Sequence, residues 1–469
     1  MINAGDTAWV LASAALVMLM TPGLAFFYGG MVRSKSVLNM LMMNFICLAV
    51  ISILWTLYGY SWAFGNDAFG GLVGGNEFAG LGNSIGHFVG VAVTGPPEIP
   101  WPGPDALPAT AFIMFQLMFA VITPALISGA IADRVKFWSW TLFVAVWGSI
   151  VYFPVAHWVF AFDGFTGPDN TGGWIANVLK AEDFAGGTAV HINAGAAGLA
   201  LAIVLGRRKG WPREPMRPHN LPFVLLGASL LWFGWYGFNA GSALSASDLA
   251  GLAFTNTTVA TAAAVLGWLV VEQIRDGKPT TLGAASGAVA GLVAITPACG
   301  FVNPLGGIAI GLIAGAVCAL AVGLKYKFGF DDSLDVVGVH LVGGIIGTLL
   351  IGFFGTKSVN TAALGEDGLF YGGGFTQLGR QVLAAGAVML YSFILTFIIA
   401  LIIKKTIGFR VDEESEVTGI DEGEHAETGY DFSTLGGRAA SGLGQHAVGG
   451  GADTDKVSTN SAATVTKEG

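Results

Sequence analysis

The chain has 469 residues, of which 53% are hydrophobic and only 11% charged, with a net charge of −9. So few charged side chains cannot clothe a water-soluble globule of this length, and the sequence reads as a polytopic membrane protein. The acidic balance excludes a basic nucleic-acid surface, and much of it is local: Lys404 and everything after it hold six basic and twelve acidic residues, so this tail alone carries −6.

Seventy glycines suit transmembrane helices that approach one another through small faces. A 12% aromatic content argues against a disordered Gly-rich chain. Cys47, Cys299 and Cys318 form an odd set without CxxC spacing and read as small core residues.

Apolar windows long enough to cross a bilayer are expected at 8–32, 38–64, 109–131, 138–161, 188–205, 221–242, 252–273, 282–299, 305–324, 336–354 and 380–403, eleven in all. The first has no basic region before it and is followed by Arg33 and Lys35, so it reads as a retained helix rather than a cleaved signal peptide. Lys and Arg gather on alternate loops, for example Arg33, Arg134, Arg208, Arg275, Lys325 and Arg410, whereas the opposite loops hold only Lys180, Lys357 and Arg380. The positive-inside rule then puts the N-terminus outside and the C-terminus inside, which an odd number of crossings satisfies.

Two outer loops, 65–108 and 161–187, are rich in Gly, Pro, Asn and Asp, and are expected to be irregular caps over an external mouth. Ile122-Thr-Pro-Ala125 in the third window recurs as Ile295-Thr-Pro-Ala298 in the eighth. An Asp-then-His pattern likewise occurs at the heads of the fifth and tenth. Both coincidences have an offset of five helices, and an odd offset inverts the second copy, so two inverted five-helix repeats plus a C-terminal eleventh helix are expected in this all-α membrane protein.

The Asp-then-His pattern is the chemical core of the sequence. Asp183 precedes His191 by eight residues, about 12 Å if helical, and Asp332 and Asp335 precede His340. Two imidazoles inside apolar helices need hydrogen-bond partners, and they can supply one another with donor and acceptor. The residues alone leave open a second reading, two separate core histidines each bonded to a backbone carbonyl. A metal site would need three or four converging ligands, and no His-x-x-x-His or Cys/His cluster completes one. His157, inside an aromatic window, reads as a satisfied core or interfacial histidine.

Five stretches, in order, carry a resemblance: Thr21-Pro-Gly-Leu-Ala-Phe-Phe-Tyr-Gly-Gly30, Asp183-Phe-Ala-Gly-Gly-Thr188 with Val190-His-Ile-Asn193, Gly234-Trp-Tyr-Gly-Phe-Asn-Ala-Gly-Ser242, Thr296-Pro-Ala-Cys-Gly300 and Asp335-Val-Val-Gly-Val-His340. Together they resemble the ammonium transporter (Amt/Mep/Rh) family, in its Amt branch. The resemblance implies a non-enzymatic homotrimer in the cell membrane whose protomers each conduct ammonium or ammonia through a narrow pore, without a cofactor. It implies that His191 and His340 are twin pore histidines, that Phe119 and Phe238 form a gate above them, and that Ser242 and an aromatic cup recruit ammonium, with Trp235 grouped among the recruiting residues. The cup position usually held by Trp in this family is Phe160 here, and Trp174, in the enlarged loop that follows, is a candidate substitute. Asp183 reads as a cap of the fifth helix that also pulls on the cation, with direct cation binding as the alternative. Asp332 and Asp335 take the matching part at the other end.

The expected domains are a channel at 1–405, a cytoplasmic regulatory tail at 406–435 that by resemblance meets a PII-type signalling protein, and a low-complexity extension at 436–469 expected to be disordered. Moving an intact ammonium ion into a low-dielectric pore costs on the order of 20 kcal/mol. Giving up its proton costs ~1.36 kcal/mol for each unit by which its pKa exceeds the ambient pH. The expected route is therefore recruitment, deprotonation near the gate and passage of ammonia along the histidines. A Rh-like passive ammonia channel and an ammonium sensor acting through its tail are the alternatives.

Overall fold

The computed structural model describes residues 2–82, 88–89, 107–166, 169–361 and 363–430. Residues 1–429 form one compact unit; a second unit, 430–469, is described only at Tyr430. The expected extension at 436–469, the last part of the tail and much of the first long loop therefore lie outside the described residues.

Among the described residues, ten helices are long and apolar enough to cross a membrane. They are α1 (Ala4–Met31), α2 (Ser34–Phe64), α3 (Ala109–Ile131), α4 (Phe137–Phe160), α5 (Gly187–Leu205), α6 (Leu221–Ala243), α7 (Asp248–Asp276), α9 (Pro304–Phe328), α10 (Val337–Phe354) and α11 (Thr376–Thr406). The expected window 282–299 is a shorter apolar helix, α8 (Thr281–Ile295), followed by turns. Thr296 keeps helical backbone, but its amide bonds the Val293 carbonyl at 3.3 Å and Pro297 after it has no N–H to continue the ladder. The matching Pro124 lies inside a continuing α-helix, Ala109–Ile127. In both copies the preceding threonine hydroxyl turns back onto the chain, Thr123 to the Phe119 carbonyl at 2.6 Å and Thr296 to that of Leu292 at 2.7 Å.

The packing partners repeat with the offset read from the sequence. α1 packs on α2 and α3 as α6 packs on α7 and α8; α2 packs on α4 as α7 on α9; α3 packs on α5 as α8 on α10. The equivalent helices α1 and α6 also pack on each other, as do α5 and α10, and α11 lies along α5 and α10. Small residues make these approaches possible. A Cβ on Gly195 would lie 2.4 Å from the Leu341 backbone, and one on Gly347 would lie 2.0 Å from that of Ala294. Any larger residue there would force α5 from α10, or α10 from α8.

The loops at one end of the bundle are basic and interlocked. Arg208 bonds both oxygens of Asp331 at 2.9 Å and reaches Asp133 at 3.2 Å. Buried Arg134 donates to Ser333 and to the Asp331 carbonyl, both at 2.6 Å. Burial holds the Arg134 guanidinium down at about 10, with Asp331 opposing, and the two arginines keep Asp331 below its usual carboxylate value despite burial. The chain after α11 folds onto this end as two short helices, α12 (Glu413–Thr418) and α13 (Ile420–His425). Arg410 binds Glu416 at 2.6 Å, and Asp421 accepts from the Leu38 and Asn39 amides at 2.9 and 2.8 Å, at the head of α2.

Candidate functional site

The two Asp-then-His segments fold alike. His191 and His340 each stand in a π-helical turn, Gly187–Ile192 and Val337–Leu341, at the heads of α5 and α10. A wider turn shifts the register by one residue and is a recurrent device at functional sites.

Each turn is capped by an aspartate a few residues before it, Asp183 and Asp332. Asp183 accepts from the amides of Gly186, Gly187 and Thr188, each at 2.7 Å, and from the Thr188 hydroxyl. Asp332 accepts from the Val336 and Val337 amides at 3.1 and 2.8 Å. Burial raises both carboxyls above their usual value; the Thr188 contacts and amides oppose this at Asp183, and at Asp332, pushed to about 7, Lys325 opposes it. Asp335 does something else: it pairs with Lys325 at 2.8 Å and sits at φ 65°, where its chain turns into α10. The two aspartates grouped together in the sequence thus divide between a cap and an ion pair.

Because α5 and α10 pack closely, the two histidines meet. Their rings lie nearly parallel, 5.4 Å apart at 20°, with the two Nδ1 atoms 3.3 Å apart. His191 is 1% exposed and His340 2%. When both are neutral, one Nδ1 carries the shared proton and the other accepts it. The donor ring then has a bare Nε2 acceptor, and the other ring carries Nε2–H. Transfer of the shared proton alone would leave an imidazolium facing an imidazolate, so reversing the two roles requires the Nε2 proton to move as well.

A run of rings leads away from this pair. His191 stacks on Trp235 at 5.4 Å and faces Phe238 at 6.0 Å; Phe238 meets Phe119 at 4.3 Å. Both phenylalanines are buried. Beyond Phe119 opens a small recess lined by Phe112, Gln116, Phe119, Phe160, Phe162, Phe165, Phe184, Ser242 and Leu244. α6 supplies three levels of this arrangement: Trp235 beside His191, Phe238 against Phe119, and Ser242 at the recess, where its hydroxyl bonds the Phe238 carbonyl at 2.8 Å.

The structure therefore brings Phe160 and Ser242 to the recess as expected, together with Phe119, but not Trp235 or Trp174. Trp235 stands with the histidines, its indole N–H bonded to Thr296 at 2.8 Å. Residues three apart share a helix face one turn from each other, so the spacing of Trp235 from Phe238 already held this placement. Trp174 is half-buried against Trp158, 5.8 Å away, outside the recess lining. Its place is taken by Phe162 and Phe165, from the same loop, which the sequence did not single out; neither did it single out Gln116 or Phe112. Gln116 lies four residues after Phe112 and three before Phe119, so helical spacing from Phe119 would have found both. His157 is buried, with Nδ1 3.1 Å from the Ala63 carbonyl and Nε2 3.5 Å from Asp67, and takes no part in the ring run.

A profile of the Ammonium Transporter Family matches residues 8–430. An ammonium transporter of Mycobacterium tuberculosis is 64% identical over 444 residues, covering 93% of this chain and 92% of its own length. One of Bacillus subtilis is 49% identical over 432 residues, covering 92% and 99%. Among solved structures, a protein described as a sensor Amt protein superposes with a TM-score of 0.79 at 30% identity, over 90% of this chain and 98% of that one. Saccharomyces cerevisiae Mep2 does so with a TM-score of 0.76 at 33% identity, over 92% and 93%. With the profile spanning nearly all of its membrane helices and relatives matched along most of their length, the chain belongs to the ammonium transporter family.

Proposed function

We propose that the chain carries ammonium across the cell membrane: at the gate the ion gives its proton to water on the recess side, ammonia passes His191 and His340, and water on the inner side returns a proton. Ammonium enters the recess, where aromatic faces attract the cation by about 0.5–2 kcal/mol and the Ser242 hydroxyl replaces a lost water. Phe119 and Phe238 close the way to a hydrated ion. Beyond them an intact cation would meet an uncharged, buried pair of imidazoles, and its desolvation on the order of 20 kcal/mol stops it. Ammonia needs only a donor and an acceptor, which the pair offers. Potassium has no proton to give up and is rejected.

The observation that carries this reading is the unbroken succession of recess, Phe119–Phe238 contact and Nδ1–Nδ1 pair, each within 6.0 Å of the next ring. Around it, α8 together with its following turns serves as an eleventh crossing. The basic loops put the Arg208–Asp331 end in the cytoplasm and the recess outside. The repeated packing supports two inverted halves, and three protomers assemble, each with its own pore. The docked α12 and α13 are the part of the tail that a PII-type protein would displace or join.

The test is an ammonium concentration jump across proteoliposomes holding the purified protein. Saturable ammonium flux, with none for potassium, is expected. Flux no greater than in protein-free liposomes would refute the proposal.

A further inference from the structure

The apolar helix α11 lies outside the five-helix repeat, yet it buries polar side chains where it meets the helices that carry the two histidines. Gln377, Gln381, Ser392 and Thr396 are all fully buried. Gln381 spends its whole hydrogen-bonding capacity there. Its Oε1 accepts from the Glu182 amide at 2.7 Å and from Gln377 at 3.0 Å, and its Nε2 donates to the Glu182 carbonyl at 2.7 Å and to the Thr348 carbonyl at 3.1 Å. A carboxamide has two donor hydrogens and two acceptor lone pairs. With Oε1 on a backbone N–H and Nε2 on two carbonyls, only one orientation of the group satisfies all four. Glu182 directly precedes Asp183, the cap of the His191 turn, and Thr348 lies on α10 eight residues after His340. About three turns further along α11, on the same face, the Ser392 hydroxyl donates to the Asn193 carbonyl at 2.8 Å. Asn193 is the first residue after the π turn Gly187–Ile192. Thus α11 holds the His191 segment on both sides of its π turn, and through Gln381 it holds α10 as well.

We propose that Gln381, assisted by Ser392, is a positioning residue for ammonia conduction, fixing α5 against α10 so that His191 and His340 stay within reach of one shared proton. This rests on the reading of those histidines as the conducting pair. Apolar packing sets how far apart two helices lie, but smooth Gly- and Ala-rich faces resist sliding and rotation weakly. Directional bonds supply that resistance. The Nδ1 atoms already stand 3.3 Å apart, so a slide of a few tenths of an ångström takes the pair out of hydrogen-bonding range.

The experiment separates position from stability. In the full chain, Gln381→Met keeps the length and burial of the side chain and removes its four bonds; Ser392→Ala removes one bond, and Ser392→Thr keeps the hydroxyl. Thr396→Val is the control, because on the same helix it removes only the acceptor of the Trp147 indole N–H at 2.9 Å, a bond to α4 rather than to α5 or α10. Ammonium flux per folded protein is measured in proteoliposomes and thermal unfolding in detergent. Gln381→Met is expected to lower the limiting flux about tenfold or more, with the KM for ammonium within about twofold of the wild type. Ser392→Ala should lose about threefold in limiting flux, and Ser392→Thr should recover most of it. Thr396→Val should melt earlier yet keep its limiting flux within about twofold of the wild type. A limiting flux in Gln381→Met within twofold of the wild type, or an equal loss in Thr396→Val, would overturn the proposal. If Gln381→Met does not fold, equal fluxes in Ser392→Ala and Ser392→Thr would overturn it. Absence of ammonium-dependent flux in the unsubstituted protein would instead overturn the transport reading on which the proposal stands.

Discussion

Asp183 offers a test that separates a cap from a cation ligand. Asp183→Ala removes an acceptor that serves three backbone amides at 2.7 Å and a hydroxyl, all buried at the head of the π turn that carries His191. Hydrogen bonds to a charged group contribute about 1.5–3 kcal/mol each, and buried donors left without a partner are costly. Even with strong non-additivity, the loss is on the order of 4 kcal/mol. Asp183→Asn is milder for a geometric reason. The amides of Gly186 and Gly187 share one carboxylate oxygen, which the Asn carbonyl can replace, whereas Thr188 uses the other, where Asn places an NH2 group. About half of the loss, on the order of 2 kcal/mol, is expected. Thermal unfolding of the detergent-solubilised protein should rank wild type above Asn above Ala, with flux falling in the same order. An Ala variant that melts with the wild type yet carries no ammonium would refute the capping argument and make Asp183 a cation ligand.

Three further outcomes follow from the same geometry. Burial pushes Asp332 to about 7, above an unfolded value of about 3.9, so the folded state holds a proton that the unfolded state has lost. Stability should therefore increase as pH falls from about 7 to about 4, and Asp332→Asn should flatten that part of the melting-temperature profile. Phe238→Ala opens the constriction where two rings stand 4.3 Å apart; the external KM should change little relative to the change in limiting flux, and discrimination against methylammonium should weaken. Glu416→Ala removes the acidic partner of Arg410 and of the Lys209 amide, so limited proteolysis after Arg410 should speed up several-fold while the membrane helices stay intact.

The centres of the membrane helices were legible because long apolar windows with few charges leave little alternative. Their ends were less so: α7 begins at Asp248 and ends at Asp276, beyond the expected 252–273, because polar residues continue a helix past the apolar core. The opposite holds at Thr296-Pro297, where hydropathy runs on but the helix stops at Ile295 and Pro297 supplies no amide to extend it. The five-helix offset was legible from two Asp-then-His heads and one tetrapeptide, and the helix packing partners repeat with the same offset. The π turns were not, since hydrophobic periodicity over five or six residues does not distinguish a π turn from an α-helix. At the site, His191, His340, Phe119, Phe238 and Ser242 were found through motifs, and the structure brings them into one succession. Phe162 and Phe165 were missed because their position depends on how a Gly- and Asn-rich loop is tied to Phe64, which no local pattern encodes. Trp235, grouped in the sequence with the recruiting residues, stands beside His191, as its three-residue spacing from Phe238 allows.

An uncharged imidazole pair at His191 and His340 should admit only the deprotonated substrate. The most direct measurement compares ammonium and potassium currents in proteoliposomes holding the wild type and the His191→Ala/His340→Ala double variant. The wild type should pass no potassium, and the double variant should, because water can fill the space left by two buried rings and hydrate an ion there. A double variant that folds, carries ammonium and still excludes potassium would contradict the claim and move the selectivity filter away from the histidines.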